Sequence, residues 1–350
     1  MKKVIVKTSG TYDVLVGAGL LASAGKIIKG VSKASRIAII TDDNVDAIYA
    51  ADFEKNLQDA GFETVKFVLA HGEESKNGEN FLKILSFFAE NQITRGDAAL
   101  ALGGGVVGDI AGFAAASYMR GIDFVQIPTT LLAAVDSSVG GKTAIDLPQG
   151  KNLAGAFYQP KAVICDYETL RTLKPEVLTD GCAEMIKYGI LADGAFFDHL
   201  FECGKDFDAE YAISECVSIK RDFVIKDERD TGLRQMLNLG HTLGHAIEAR
   251  SAYAVSHGCA VSIGMATVSR ASAKRNICAG GTASAIVDIL EKFGLPTRTS
   301  YSIDELFEPM LSDKKRSGDT VNVIVPKKIG ECEILPMKID ELKEFMALGL

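Results

Sequence analysis

Short β-branched and aliphatic runs alternate with amphipathic stretches through the first half of the chain. Residues 36–40 read as a strand, 44–60 as a helix, 64–69 as a strand, 78–91 as a helix and 98–102 as a strand. That rhythm predicts βαβ units and a mostly parallel sheet. It continues with a helix over 106–118, a strand over 124–127, a polar loop and a strand over 162–166. Beyond Lys174-Pro175 the pattern changes to long amphipathic stretches, 182–191, 210–226 and 259–274, so the second half is expected to be mainly helical. Residues 320–325 and 332–335, split by 326–330, read as one small hairpin. The expected organisation is a Rossmann-like α/β domain over 1–175 and a mainly helical domain over 176–350.

Composition narrows the function. With 38 Lys+Arg against 46 Asp+Glu the formal charge is −8. A general electrostatic hold on nucleic acid or an anionic membrane is therefore not expected, and any anionic ligand must be gripped locally. The start Met1-Lys2-Lys3-Val4-Ile5-Val6-Lys7 lacks the apolar core of a signal peptide. The longest apolar stretch, 98–107, is about half the roughly 20 residues that span a bilayer. Seven cysteines, widely spread and without a CxxC pair, suit reduced thiols in a cytoplasm.

Two glycine-bearing segments carry chemistry in the first half. Gly103-Gly104-Gly105-Val106-Val107-Gly108 follows an apolar strand and opens a helical pattern, the context a GxGxxG turn requires. Backbone amides at such a helix start can hold a pyrophosphate. The acidic ribose partner that the simple rule seeks about 20 residues on would be Asp123. Asp42, ending an earlier strand, competes with it. The loop from Pro128 to Thr143 holds Thr129, Thr130, Asp136, Ser137, Ser138, Gly140, Gly141 and Lys142. Its GGKT ending is no Walker A loop, because Asp136 stands where that motif needs glycine. It still reads as an anion or sugar site with Lys142 as the point charge, or as a well-capped turn.

In the second half, three of the five histidines, His241, His245 and His257, fall close together. If the His241 helix extends backward, Arg234, Asn238, His241, His245 and Glu248 form one polar stripe, either solvated surface or the wall of a polar cleft. Two histidines and a carboxylate are a usual zinc set with an open position. Spacing alone leaves open which two histidines and which carboxylate ligate. Glu184 and Lys187 are an acid and a cation one helical turn apart, readable also as a surface pair.

Taken together, GGGVVGDIAGFAAASYMRG, IPTTLLAAVDSSVGGKTAID, GKNLAGAFYQP, CAEMIKYGI and LNLGHTLGHAIE followed by HG resemble the 3-dehydroquinate synthase family closely, from about Asp42 to Lys315. The resemblance implies a dehydroquinate synthase-like fold and a sugar-phosphate cyclase of the shikimate route. The implied reaction converts 3-deoxy-D-arabino-heptulosonate 7-phosphate to 3-dehydroquinate and phosphate, with NAD recycled and Zn2+, or Co2+ in its place, as the metal. It maps the metal ligands onto Glu184, His241 and His257. NAD contacts map onto Asp42, Asn44, Glu73, Lys76, Gly104, Gly105, Val106, Asp109, Thr129, Thr130, Lys142, Lys151, Thr169 and Thr172. Catalytic and substrate contacts map onto Lys142, Lys187, Arg234, Asn238, His245, Lys151 and Asn152, with Asp136, Lys220 and Lys314 also holding substrate. Arg120 looks like the family arginine that reaches the phosphate of a neighbouring subunit, which implies a homodimer. Two departures stand out: Cys259 in HGCAV where Glu is usual, and Asp146 where Asn is common. The competing expectations are another sugar-phosphate cyclase and a metal- and NAD-dependent polyol dehydrogenase.

Overall fold

The computed structural model describes residues 1–311 and 319–350, with the backbone alone at 316 and 317. In chain order the first strands are β1 (Lys2–Lys7) and β2 (Thr11–Gly17), then helix α1 (Ala24–Val31) and β3 (Arg36–Asp42). Next come α2 (Asp43–Val45), α3 (Ala51–Asp59), β4 (Glu63–Leu69), α4 (Gly78–Glu90), β5 (Ala98–Gly103), α5 (Gly105–Ser117) and β6 (Asp123–Pro128). Strands β7 (Lys142–Leu147), β8 (Gly150–Phe157) and β9 (Ala162–Asp166) follow. The remainder is α6 (Pro175–Ala192), α7 (Gly194–Cys203), α8 (Ala209–Lys226), α9 (His241–Arg250), α10 (His257–Lys274), α11 (Thr282–Lys292), α12 (Ile303–Leu311), the short β10 (Arg316–Ser317), β11 (Thr320–Lys328), β12 (Glu331–Lys338) and α13 (Ile339–Gly349).

The chain forms two compact units, one of residues 1–173 with 209–229 and one of 174–208 with 230–350. Helix α8 therefore folds with the first unit, where it packs on β1 and β2, and not with the helical half to which its amphipathic pattern assigns it.

The first unit is built on a seven-stranded sheet of order β1-β2-β9-β6-β5-β3-β4. All its neighbours run parallel except β1 with β2. Central strand β5 is buried along its whole length, so it reads as an unbroken apolar run instead of alternating. One side of the sheet packs Ile84 and Phe88 of α4 with Val107 and Ile110 of α5. The other packs Ile28 of α1 with Phe53 and Leu57 of α3. Helix starts follow local chemistry: the Asn77 side chain accepts from the Asn80 amide at the head of α4, and Asp42 accepts from the amides of Asn44 and Val45. The second unit is helical, with the β11–β12 hairpin where the pattern places one. Pro175 opens α6, and Asp193 caps α7 through the Phe196 amide. No described helix is long and apolar enough to cross a membrane.

Candidate metal centre and nucleotide-fold site

In the first unit the polar residues gather at the carboxyl ends of the parallel strands, where open α/β sheets bind ligands. Strand β5 ends at Gly103, Gly104 precedes the helix and α5 begins at Gly105. The turn is tightly packed: a Cβ on Gly104 would press on the Thr130 side chain, and one on Gly105 on that of Ser137. Thr129 is tied in by its amide to the Gly103 carbonyl. Its buried hydroxyl has no hydrogen-bond partner among the described residues, as a contact reserved for a ligand would look. Asp42 stands at the carboxyl end of β3 beside Asn44, whereas Asp123 opens β6 at the opposite end of the sheet. There Asp123 accepts from Ser32 and pairs with Lys161, so the simple spacing rule selects a structural aspartate.

Around the α5 start lies an ion-pair cluster. Buried Lys76 contacts Asp109 at 2.6 Å and Glu73 at 3.8 Å, and Glu73 in turn lies 3.5 Å from Lys151. Burial works against the Lys76 ammonium, but Asp109 and Glu73 outweigh it and hold its pKa above the ordinary lysine value. Asp146 joins this group: its amide donates to the Lys76 carbonyl and its carboxylate accepts from the Asn152 amide. Asn152 adopts a positive φ of 54°, which asparagine tolerates better than most residues. Lys220, on α8, holds both the carbonyl and the carboxylate of Asp136, at 2.6 and 3.0 Å. Val106 lies in the first turn of α5, and Lys142 is exposed at the head of β7. Thr169 and Thr172 both donate to local carbonyls, and Thr172 also meets the Tyr49 hydroxyl.

The second unit brings together three side chains from three helices. Glu184 on α6 is fully buried, with its Oε1 3.3 Å from His241 Nε2 and 3.4 Å from His257 Nε2. All three offer a ligand atom within 4.8 Å of one another. Two imidazole nitrogens converging on one carboxylate oxygen form the donor set of a divalent zinc-type ion, with room for further ligands. Lys187, one turn along α6 and 1% exposed, pairs with the other Glu184 oxygen. The pair is thus buried, not the surface pair that its spacing also allows.

Each ring is oriented from behind. His241 Nδ1 faces the Leu239 carbonyl at 3.1 Å, and His257 Nδ1 faces Glu248 at 3.2 Å. Burial lowers the His257 pKa, but its hydrogen bonds to Glu184 and Glu248 push it up to about 10. Without metal, His257 is therefore protonated at neutral pH. Because its pKa lies above the unfolded value of 6.5, its contribution to the metal-free fold is complete below 6.5 and is lost as pH rises through about 10. A metal must displace that proton, so cobalt affinity should rise about tenfold per pH unit between roughly pH 7 and 10, releasing one proton from His257. Calorimetric titration in buffers of different ionisation enthalpy checks this; affinity flat across that range would refute it.

The expected stripe from Arg234 to Glu248 is not one helix. Leu233–Asn238 forms a tight 3₁₀ segment, and Gly240 at φ 80° breaks the backbone before α9 begins at His241. Arg234 and Asn238 thus come from a different segment than the histidines. Arg234 is buried all the same, and the Asn238 amide donates to Gln235. His245 lies within 5.3 Å of the His241 ring, centroid to centroid. Cys259 is half-buried in the first turn of α10, its amide donating to Asp180. Lys314 lies outside the described residues.

Close backbone packing spaces the ligand helices. A Cβ on Gly264 of α10 would run into the Gly240 carbonyl, and one on Gly258 into the Asp180 carbonyl of α6. The sequence carries no periodic signal for this spacing; its one cue is that both glycines lie within seven residues of a ligand histidine.

The fold has solved relatives. A 2-deoxy-scyllo-inosose synthase complexed with carbaglucose-6-phosphate, NAD+ and Co2+ superposes with a TM-score of 0.88 at 24% identity, covering 100% of both chains. The 2-epi-5-epi-valiolone synthase of Streptomyces hygroscopicus subsp. jinggangensis, with NAD+ and Zn2+ bound, gives 0.89 at 24% identity over 98% of both. The chain thus shares the fold of these two synthases. Sequence goes further: family models for the N-terminal and C-terminal parts of 3-dehydroquinate synthase match residues 66–180 and 181–316. A 3-dehydroquinate synthase of Streptococcus suis is 42% identical over 99% of both chains. The chain belongs to the 3-dehydroquinate synthase family.

Proposed function

We propose that this chain converts 3-deoxy-D-arabino-heptulosonate 7-phosphate to 3-dehydroquinate and phosphate, within the shikimate route to aromatic amino acids. The observation that carries the reading is the convergence of Glu184, His241 and His257, the three positions to which the family resemblance assigns the metal. Bound there, Zn2+ or Co2+ would supply Lewis acidity to substrate hydroxyls, while NAD would supply reversible hydride exchange.

The protein's own part is positioning and charge. We assign the NAD contacts to the glycine turn Gly104 to Asp109, with Asp42, Asn44, Glu73, Lys76, Thr129, Thr130, Thr169 and Thr172. The free lone pairs of Asp42 suit a ribose hydroxyl, since its Oδ1 is the oxygen engaged by the Asn44 and Val45 amides. Lys142, Lys151, Asn152, Lys187, Arg234, Asn238 and His245 are assigned to the substrate, with Asp136, Lys220 and Lys314. Cationic side chains of this number suit a substrate with a carboxylate and a phosphate, and fixing both ends removes the freedom that opposes ring closure.

The test is phosphate release from the heptulosonate phosphate with catalytic NAD and zinc, before and after chelation, with reduced-nicotinamide absorbance followed alongside. Chelator-sensitive release without accumulating NADH is expected. Net NADH would instead identify a polyol dehydrogenase, and release from carboxylate-free sugar phosphates alone a different cyclase.

We also propose a homodimer in which Arg120 serves the neighbouring subunit's phosphate site. Arg120 is exposed at φ 68°, held out by a strained turn whose next residue, Gly121, abuts Tyr158. The adjoining β7–β8 ribbon exposes Leu147, Leu153 and Phe157, an apolar surface of the kind a second copy covers. A Leu153→Asp/Phe157→Asp variant should sediment as a monomer with its fold intact; an unchanged dimer would remove this ribbon as the interface. Seven free thiols, three of them buried, agree with a cytoplasmic setting.

A further inference from the structure

We propose that Glu248 is a positioning residue, fixing the His257 imidazole so that Nε2 faces the metal position. The inference rests on the reading of Glu184, His241 and His257 as ligands. Glu248 lies on α9, 2% exposed. Its Oε2 is 3.2 Å from His257 Nδ1, while His257 Nε2 is 3.4 Å from Glu184 Oε1. Two carboxylates from different helices thus engage the two nitrogens of one ring. An ionised carboxylate can only accept, so Nδ1 carries its hydrogen toward Glu248. Once the proton on Nε2 is displaced, its lone pair faces the metal position.

His241 provides an internal comparison. Its Nδ1 also faces an acceptor, the Leu239 carbonyl at 3.1 Å. Both ligand rings are therefore held at Nδ1 with Nε2 turned to Glu184, one by main chain and one by Glu248. His257 opens α10, and its Nδ1 is met by a side chain from the neighbouring helix α9. A ring free to rotate about its χ angles would present Nδ1 and Nε2 in turn, and metal binding would then have to freeze it. Outer carboxylates that do this work are worth roughly 10- to 100-fold in metal affinity. Glu248, His245 and His257 also approach one another within 4.8 Å. A second cation there would make Glu248 a ligand in its own right, which the proposal excludes.

Metal-free full-length protein is titrated with cobalt, following the visible absorption band and the stoichiometry, for the wild type, Glu248→Gln and Glu248→Leu. One ion per chain is expected. Glu248→Leu should weaken cobalt binding about 10- to 100-fold and alter the band. Glu248→Gln, whose amide oxygen still accepts from Nδ1, should recover most of that loss. A purely structural Glu248 would lower the thermal midpoint of the metal-free chain while folded molecules kept wild-type affinity and band, and that result overturns the proposal. So does a second cobalt per chain lost with Glu248→Leu. If the leucine form does not fold, Glu248→Asp decides the matter: its shorter carboxylate falls short of His257 Nδ1, so weaker cobalt binding and an altered band are expected, and wild-type binding and band overturn the assignment. Equal cobalt binding by wild type and His257→Ala would defeat the ligand reading itself, whereas equal binding by wild type and Glu248→Leu defeats the role of Glu248 alone.

Discussion

His257→Ala is expected to abolish cobalt binding and phosphate release while leaving the helical unit folded. The ring supplies one of three convergent ligand atoms. Losing it should cost more affinity than the roughly 100-fold that marks the loss of an outer partner. Activity should fall by about a thousandfold or more, because metal charge stabilisation is worth several kcal/mol and each 1.36 kcal/mol is a factor of ten. This substitution separates function from folding better than Glu184→Gln does. Glu184 and Lys187 are 0% and 1% exposed and paired, so neutralising the glutamate leaves a buried ammonium and should lower stability by about 3–5 kcal/mol besides removing the metal. Cobalt titration with thermal unfolding distinguishes the two. A His257→Ala protein that kept full activity would remove the metal assignment.

Gly264→Ala is expected to be nearly as damaging to metal binding, although residue 264 touches no ligand atom. A methyl at 264 has to displace the Gly240 carbonyl, and Gly240 immediately precedes His241. Unlike the tip of a side chain, a carbonyl yields only if α9 and α10 move apart, so overpacking of about 1–3 kcal/mol is expected. The separation carries His241 away from His257. Gly30→Ala is the control: nothing lies within 4 Å of that site on α1, and removing an exposed helical glycine should stabilise by about 0.5–1 kcal/mol. If Gly264→Ala bound cobalt like the wild type, helix spacing would not set the ligand geometry.

These sites differ in how far the sequence announces them. Strand β5, buried on both faces, leaves an unmistakable apolar run, and the glycines after it mark the turn into α5. The β11–β12 hairpin is bracketed by its own turn residues. By contrast β1 buries only Val4 and Val6, with exposed Ile5 between them and lysines on either side, and β8 carries two glycines and buries none of its residues; neither offers a strong period. The polar stripe fails for a local reason, since its spacing assumes continuous helix and Gly240 at positive φ interrupts it. Histidine clustering pointed to a metal, but the choice of Glu184 came from resemblance, because a carboxylate more than fifty residues away carries no spacing signal. Asp123 opens β6 while Asp42 ends β3, a difference that residue counting does not register.

The placement of α8 bears on the order in which the protein can be assembled. Ala212, Ile213, Cys216 and Val217 of this helix are buried, and it packs on β1 and β2 at the very start of the chain. A nascent polypeptide released from the ribosome tunnel only as far as residue 173 therefore holds every strand of the sheet but not the helix that covers its first two. Thirty-five residues destined for the other unit must emerge before that cover arrives. Completion of the first unit thus waits on synthesis through residue 229, and a fragment cut at 173 would meet solvent, chaperone or another copy with the β1–β2 face bare.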